Sequence, residues 1–274
     1  MEPIINSVWF QTFNPTPYNQ NFGVIVLMKR LSFLLGCTMI VLTTLPVAAA
    51  SDTSLIEVFD VDRDTVPAGT PAAFEVAFPQ ASQNEAIRKI GDENFHFVPL
   101  AFIPLSDTRT ALVSTGANEC TGTACSGMNA VHYLDHDAGE PRYPFTLQGE
   151  WLNVGAVGSV GNPAERWGWS RDISDAPVLY TEGGGGGQGL FCYYAVLTEL
   201  RASGPVEIAK IPIEYSDASS EDSSGQVNGM VTAAEKGKSL TVSYKSGAET
   251  FQEVYHRTEN GQFKLDGQTR VPSC

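Results

Sequence analysis

The chain has 274 residues, 42% of them hydrophobic, and its 17 basic and 31 acidic side chains give a formal charge of −14. This composition is typical of a folded globular protein, because disordered chains combine high net charge with few apolar residues. The charge argues against nucleic-acid binding, which requires a basic surface. The sequence also lacks a polybasic segment that would favour anionic lipid.

The segment 28–50 has the features of a secretory signal peptide. A basic start, Met28-Lys29-Arg30, precedes an apolar run over 31–47, and Ala48-Ala49-Ala50 supplies a small-residue cleavage pattern. A retained transmembrane anchor is the alternative, since the apolar run is at the lower limit of the length that spans a bilayer. We expect export with cleavage, and therefore a periplasmic or secreted protein without a membrane span.

We assign no function to two further features near this signal peptide. Residues 1–27 precede a complete signal peptide, so we interpret them as a misassigned N-terminal extension, with Met28 as the true initiator. Cys37 superficially resembles a lipid-attachment cysteine, but a long apolar run follows it instead of a polar tether. We therefore interpret it as part of the hydrophobic region of the signal.

The predicted mature chain, 51–274, has 224 residues, 15 basic and 30 acidic side chains, and a charge of −15. Its four cysteines in an oxidising compartment predict two disulfides. The short spacer favours Cys120–Cys125, which leaves Cys192 to pair with Cys274 and to hold the segment 268–274 against its strand. A zinc site is the competing interpretation, but paired CxxC motifs are absent from the sequence.

The predicted elements begin with a strand over 55–63 and a helix over 80–90, where good helix formers end at Gly91. Two apolar runs, 95–105 and 110–115, then indicate strands separated by turn residues. Further strands are predicted at 130–134, 145–154, 177–182, 190–200, 206–215, 229–234, 239–244, 249–257 and 262–265.

These strands predict a mainly β domain over 51–274 with one short N-terminal helix. Short Gly-, Asn-, Asp- and Ser-containing connections are typical of antiparallel hairpins, and Asn260-Gly261 is the strongest such signal. Three loosely similar strand–turn–strand stretches leave a propeller-like arrangement open. An antiparallel β-sandwich explains the same pattern without repeats and is the preferred fold.

The glycine run Gly183–Gly187 superficially resembles a phosphate-binding loop. The residues after it read as a strand and lack the Lys-Ser or Lys-Thr pair of that motif, so the helix N-terminus that binds phosphate is missing. We interpret the run as a flexible hairpin tip; the functional alternative is a mobile loop at a binding edge.

Other candidate motifs do not support a metal or catalytic site. His132 and His136 have the spacing of a helical zinc pair, but His132 lies in the predicted strand 130–134 and His136 directly precedes a turn. Asp60, Asp62 and Asp64 begin like a calcium loop that lacks its glycine and its final glutamate. We therefore predict no metal, no cofactor and no catalytic residue.

The segment 149–172 holds all three tryptophans of the predicted mature chain. Exposed tryptophan beside carboxylate and guanidinium groups is typical of a sugar-stacking surface or a protein interface. The alternative is that these rings fill the core and cover a loop. The binding hypothesis rests on Trp167, Trp169, Arg166, Arg171, Glu165 and Asp172.

Export, disulfides and the acidic charge together favour a non-enzymatic binding protein of the bacterial-type envelope that engages a basic protein partner. The alternative is a carbohydrate-binding or carbohydrate-active protein that uses the Trp167/Trp169 segment. An enzyme with a histidine and carboxylates brought together in space is a third hypothesis.

Overall fold

The computed structural model describes residues 53–137, 144–219 and 225–274. The predicted N-terminal extension and signal peptide lie outside these residues. The described part of the chain has two antiparallel sheets and one short helix, which confirms the predicted mainly β, sandwich-like class. Within the described residues, no helix is long and apolar enough to cross a membrane.

The smaller sheet has five strands that pair in chain order, so each strand lies beside the next along the chain. Every pairing in it is antiparallel, as hairpin connections require. Its strands are β2 (Ala86–Ile90), β3 (Glu93–Ser106), β4 (Arg109–Ala117), β5 (Met128–Asp135) and β6 (Thr146–Leu152).

Over the residues that the structure describes, the larger sheet has nine strands and curls into a half-barrel. Eight of them pair in chain order, and the first strand joins the edge beside the seventh. They are β1 (Val58–Asp60), β7 (Arg166–Ser170), β8 (Val178–Gly187), β9 (Leu190–Arg201), β10 (Gly204–Asp217), β11 (Gln226–Glu235), β12 (Ser239–Ser246), β13 (Glu249–Arg257) and β14 (Phe263–Leu265).

The short helix is present, but its predicted position, 80–90, is wrong. The helix α1 is Thr70–Ala77, with a proline in its first turn, whereas the predicted helix contains a tight turn and strand β2. Gln83 and Asn84 both have positive φ in that turn, which helical backbone excludes. Pairing with β3 outweighs the helix propensity of these residues.

Three apolar cores hold these layers together. One lies between α1 and the five-stranded sheet, a second between the two sheets, and a third inside the curl of the larger sheet. Strand β8 separates two of them: Val178 and Tyr180 face the curl, while Leu179 faces the smaller sheet. The alternation of side chains along a strand lets β8 bury both faces.

The larger sheet opens between β10 and β11. Within the described residues, these two strands pair only where Glu214–Ser216 meets Gln226–Asn228. Beyond Asn228 the next residues of β11 pair with β12, and the chain before β1 lies against their other edge, where Leu55 N donates to Val231 O at 2.8 Å. Ile56 is buried there, so this opening is filled partly by the start of the described chain.

The glycine run is part of strand β8, and its interpretation as a hairpin tip is wrong. Gly183 to Gly187 pair with β9, and the turn itself contains Gln188 and Gly189. A Cβ atom at Gly184 would lie 1.9 Å from Cys192 O. Gly184 therefore allows the two backbone segments to approach more closely than any side chain would permit.

The two predicted disulfides, Cys120–Cys125 and Cys192–Cys274, are confirmed. The predicted packing of the final segment is also confirmed, because Val271 is buried in the core inside the curl. This segment has a second attachment: the buried carboxylate of Glu253 accepts a hydrogen bond from the backbone N–H of Arg270 at 2.6 Å.

Candidate ligand-binding site

Strand β7 directs Trp167 and Trp169, the two tryptophans of the binding hypothesis, to one face. Trp167 and Trp169 are half-buried and pack against the core between the two sheets, with Gly168 between them. A Cβ atom at Gly168 would lie 2.3 Å from Glu57 O, so this glycine lets the neighbouring chain pass close to the strand. The two rings therefore pack against the core and remain partly accessible to solvent.

The charged residues of the segment lie at the two ends of β7. Arg166 forms an ion pair with Glu182, its cross-strand partner on β8. At the other end, Arg171 donates to Pro104 O, and Asp172 is exposed. Five residues of strand span about 17 Å, so the six predicted residues do not converge on a single site.

A cavity of about 310 Å³ lies at the opening between β10 and β11, and we call it the Glu182 cavity. This volume is at the lower end of the range of small-molecule pockets, about 300–1,000 Å³. The cavity contains apolar and charged side chains from five strands and from the chain before β1. Its lining residues are Ser54, Ile56, Val58, Arg166, Tyr180, Glu182, Ile213, Glu214, Asn228, Gly229, Met230 and Val231.

Glu182 is the most unusual side chain of the cavity, because only 3% of it is exposed. A buried carboxylate is costly unless it is paired and hydrogen-bonded. Tyr180 donates its hydroxyl to Glu182 Oε2 at 2.7 Å, and Arg166 pairs with Glu182 Oε1. Oε2 thus accepts a hydrogen bond, whereas the buried Oε1 is balanced only by the charge of Arg166 and accepts no hydrogen bond from the described residues.

Glu214 adds a second carboxylate near the same arginine. Its Oε2 lies 3.9 Å from Nη2 of Arg166, beyond hydrogen-bond distance, and its side chain is 33% exposed. Arg166 thus serves two carboxylates but forms a close contact only with Glu182. These three side chains carry a net charge of −1.

The phenols near the cavity stay protonated in the neutral pH range. Burial raises the pKa of Tyr180, and the Arg166 charge offsets this only in part. Burial also raises the pKa of Tyr193, with further contributions from Glu165 and Glu214. Protonated tyrosines can donate hydrogen bonds, so they support the charged state of the carboxylates.

A second concave surface, the Phe59–Trp167 groove, lies on the other side of β1. Its volume is about 510 Å³, and it is lined by Val58, Phe59, Asp60, Asp62, Thr65, Pro67, Leu100 and Trp167. The Phe59 ring is 46% exposed, and its centroid lies 5.7 Å from that of Trp167. The groove thus combines an aromatic wall with carboxylates.

His132 and Asp62, which belong to the two motifs considered for metal binding, form contacts within the fold. His132 is buried below Phe78 and contacts Glu150 Oε1 through Nε2 at 2.9 Å, and its pKa is lowered because burial outweighs the Glu150 contact. The Asp62 side chain accepts hydrogen bonds from two backbone N–H groups of its own turn. In the described ranges, no three His, Cys, Asp or Glu side chains are placed to hold a metal ion.

Sequence reasoning identified Glu165, Arg166 and Trp167 but did not bring them together with Tyr180 and Glu214. The pairing of β7 with β8, and the separation of β10 from β11, decide this grouping. One signal was present in the sequence, since Glu182 interrupts an otherwise uncharged strand. A lone carboxylate in a strand that is buried on both faces indicates a paired or functional group.

No family model, curated protein or solved structure matches this chain.

Proposed function

We propose that this protein is an exported, acidic binding protein that engages a basic protein partner. The observation that carries the proposal is the Glu182 cavity, in which two carboxylates share one arginine. The chain as a whole is also acidic, with a formal net charge of −14. Such a charge speeds the encounter with a partner of opposite sign.

The proposed location is the periplasm or the extracellular space. Its support is the pattern of a signal peptide in the sequence together with the disulfides Cys120–Cys125 and Cys192–Cys274. Disulfides persist in oxidising compartments and are rare in the cytosol. A basic partner would therefore be an envelope or secreted protein.

The test is a pull-down with the purified chain as bait, from an extracellular or periplasmic extract, at low and at high salt. The control bait is an unrelated protein of similar size and negative charge. We expect a basic protein to be retained by this chain and not by the control, with slower association at high salt because exposed charges are screened. Retention of the same proteins by both baits would contradict the proposal.

A second candidate function, glycan binding, is favoured by the Phe59–Trp167 groove. Aromatic faces beside carboxylates, here Asp60 and Asp62, provide stacking and hydrogen bonds for a sugar ring. Glycan binding should quench or blue-shift tryptophan emission, and Trp167→Phe should abolish the change while Trp169→Phe retains it. Unchanged emission of the parent across a panel of cell-wall glycans would contradict this function.

A further inference from the structure

The Glu182 cavity combines an apolar wall with a group of charged side chains, and this combination limits which ligands it can bind. Apolar side chains form much of its wall: Ile56, Val58, Ile213, Met230 and Val231. The charged groups Arg166, Glu182 and Glu214 lie together in it. A matching ligand therefore needs an apolar stem and a polar head, since burial of an unpaired polar group along the apolar wall would be costly.

The charges determine the sign of that head. Arg166 is in close contact with Glu182, and its Nη2 lies 3.9 Å from Glu214 Oε2. Glu214 is thus the carboxylate that Arg166 leaves without a close contact; it lines the cavity and is 33% exposed. An anionic head would add to the excess negative charge, whereas a head with one positive charge would make the cavity neutral.

The space favours a compact cation. Arg166 already provides a planar guanidinium to Glu182, whereas an ammonium group is a small point charge with three donors. Such a group can bind Glu214 while its carbon chain follows the apolar wall formed by residues such as Ile213 and Met230. Lysine side chains commonly bury their aliphatic stem in this way.

We propose that the Glu182 cavity binds an alkylammonium group, with the ammonium at Glu214 and the carbon chain against Ile213 and Met230. The inference rests on the proposed function, because a lysine side chain of a basic protein partner carries this chemistry. A free aliphatic amine carries the same chemistry.

Methionine methyl groups provide a direct readout. Met230 lines the cavity, whereas Met128 packs against the core below α1 and serves as an internal control. The chain is labelled with ¹³C-methyl methionine and titrated separately with pentylammonium, Nα-acetyl-lysine methylamide and the neutral pentanol. We expect both ammonium compounds to shift the Met230 signal and to leave Met128 unchanged, with a much weaker effect of pentanol.

The variant Glu214→Gln tests the ammonium contact with little risk to folding, because this side chain is partly exposed. It should weaken binding of pentylammonium about tenfold or more, as expected for the loss of a charge-assisted hydrogen bond. Glu235→Gln is the matched control, because Glu235 is an exposed residue of β11 that pairs with Lys238. The control should bind as the parent does.

A shift with both ammonium compounds supports the proposal with a lysine side chain as the source, and a shift with pentylammonium alone supports it with a free amine. No shift of Met230, an equal shift with pentanol, or unchanged binding by Glu214→Gln would overturn it. The two proposals can also fail separately. If the Glu214→Gln variant retains a basic protein in the pull-down as well as the parent does, the proposed function stands. The amine titration then decides separately whether the Glu182 cavity binds an alkylammonium group.

Discussion

Removal of the Cys192–Cys274 disulfide should destabilise the protein more than removal of Cys120–Cys125. The first bridge joins residues 82 positions apart and the second joins residues 5 positions apart. In the loop-entropy description, these spans correspond to about 4.5 and about 2 kcal/mol of stabilisation. The unfolded chain gains more freedom when the longer loop is released.

The folded state retains part of the attachment in the absence of this bridge. Val271 stays in an apolar environment, and Glu253 still accepts hydrogen bonds from Thr269 and from the backbone of Arg270. The segment should therefore remain docked in the double variant Cys192→Ser/Cys274→Ser. The loss then comes mainly from the entropy of the unfolded chain, which is the quantity that the loop length determines.

The assay is thermal unfolding of both double serine variants against the parent, with urea melts for the free energies. One kcal/mol corresponds to about 2–4 °C for a domain of this size, so we expect the melting temperature to fall by about 9 °C or more without Cys192–Cys274. The double variant Cys120→Ser/Cys125→Ser should lose about half as much free energy of unfolding. An equal or smaller decrease for the long-range pair would refute the entropic reasoning.

Two further predictions test the glycine run and the buried histidine. Gly184→Ala should lower the free energy of unfolding by about 1–3 kcal/mol in urea melts, because its Cβ would meet Cys192 O at 1.9 Å. Gly187→Ala has open space and should change it by less than about 0.5 kcal/mol, and equal effects would contradict the close packing. Because burial lowers the pKa of His132 from its ordinary 6.5, the unfolded chain binds a proton that the folded chain does not, and stability should fall as pH decreases below about 6.5. His132→Gln should reduce this loss of stability between neutral and mildly acidic pH, whereas the control His256→Gln, at an exposed site, should retain it. Identical profiles of stability against pH for the parent and His132→Gln would show that burial of His132 does not cause the loss.

Much of the β structure could be predicted from local patterns. Strands such as β9 and β12 were predicted within one or two residues, since alternating β-branched and aromatic residues bounded by turn residues encode a strand locally. Strand β2 was missed because Ala, Arg and Lys favour a helix in isolation. It pairs with β3 in a tight hairpin in which Ile90 lies opposite Glu93, and Gly91, interpreted as the end of a helix, forms the turn.

The candidate site was less predictable. The sequence drew attention to Arg166 and Trp167, which lie next to each other in β7 but face different sides of it. Their true partners, Glu182 and Glu214, belong to other strands. Pairing and the divergence of β10 from β11 bring them together, and neither leaves a signal at a fixed spacing.

The amino-acid sequence by itself determined the class of fold, the acidic charge and the disulfide pairing. These depend on composition, on side-chain periodicity and on the order of four cysteines along the chain. Only the tertiary structure decided that the glycine run pairs within β8 and that Glu182 is buried beside Arg166. A strand does not specify its neighbours, because strand register and sheet curvature arise from contacts between residues far apart in the chain.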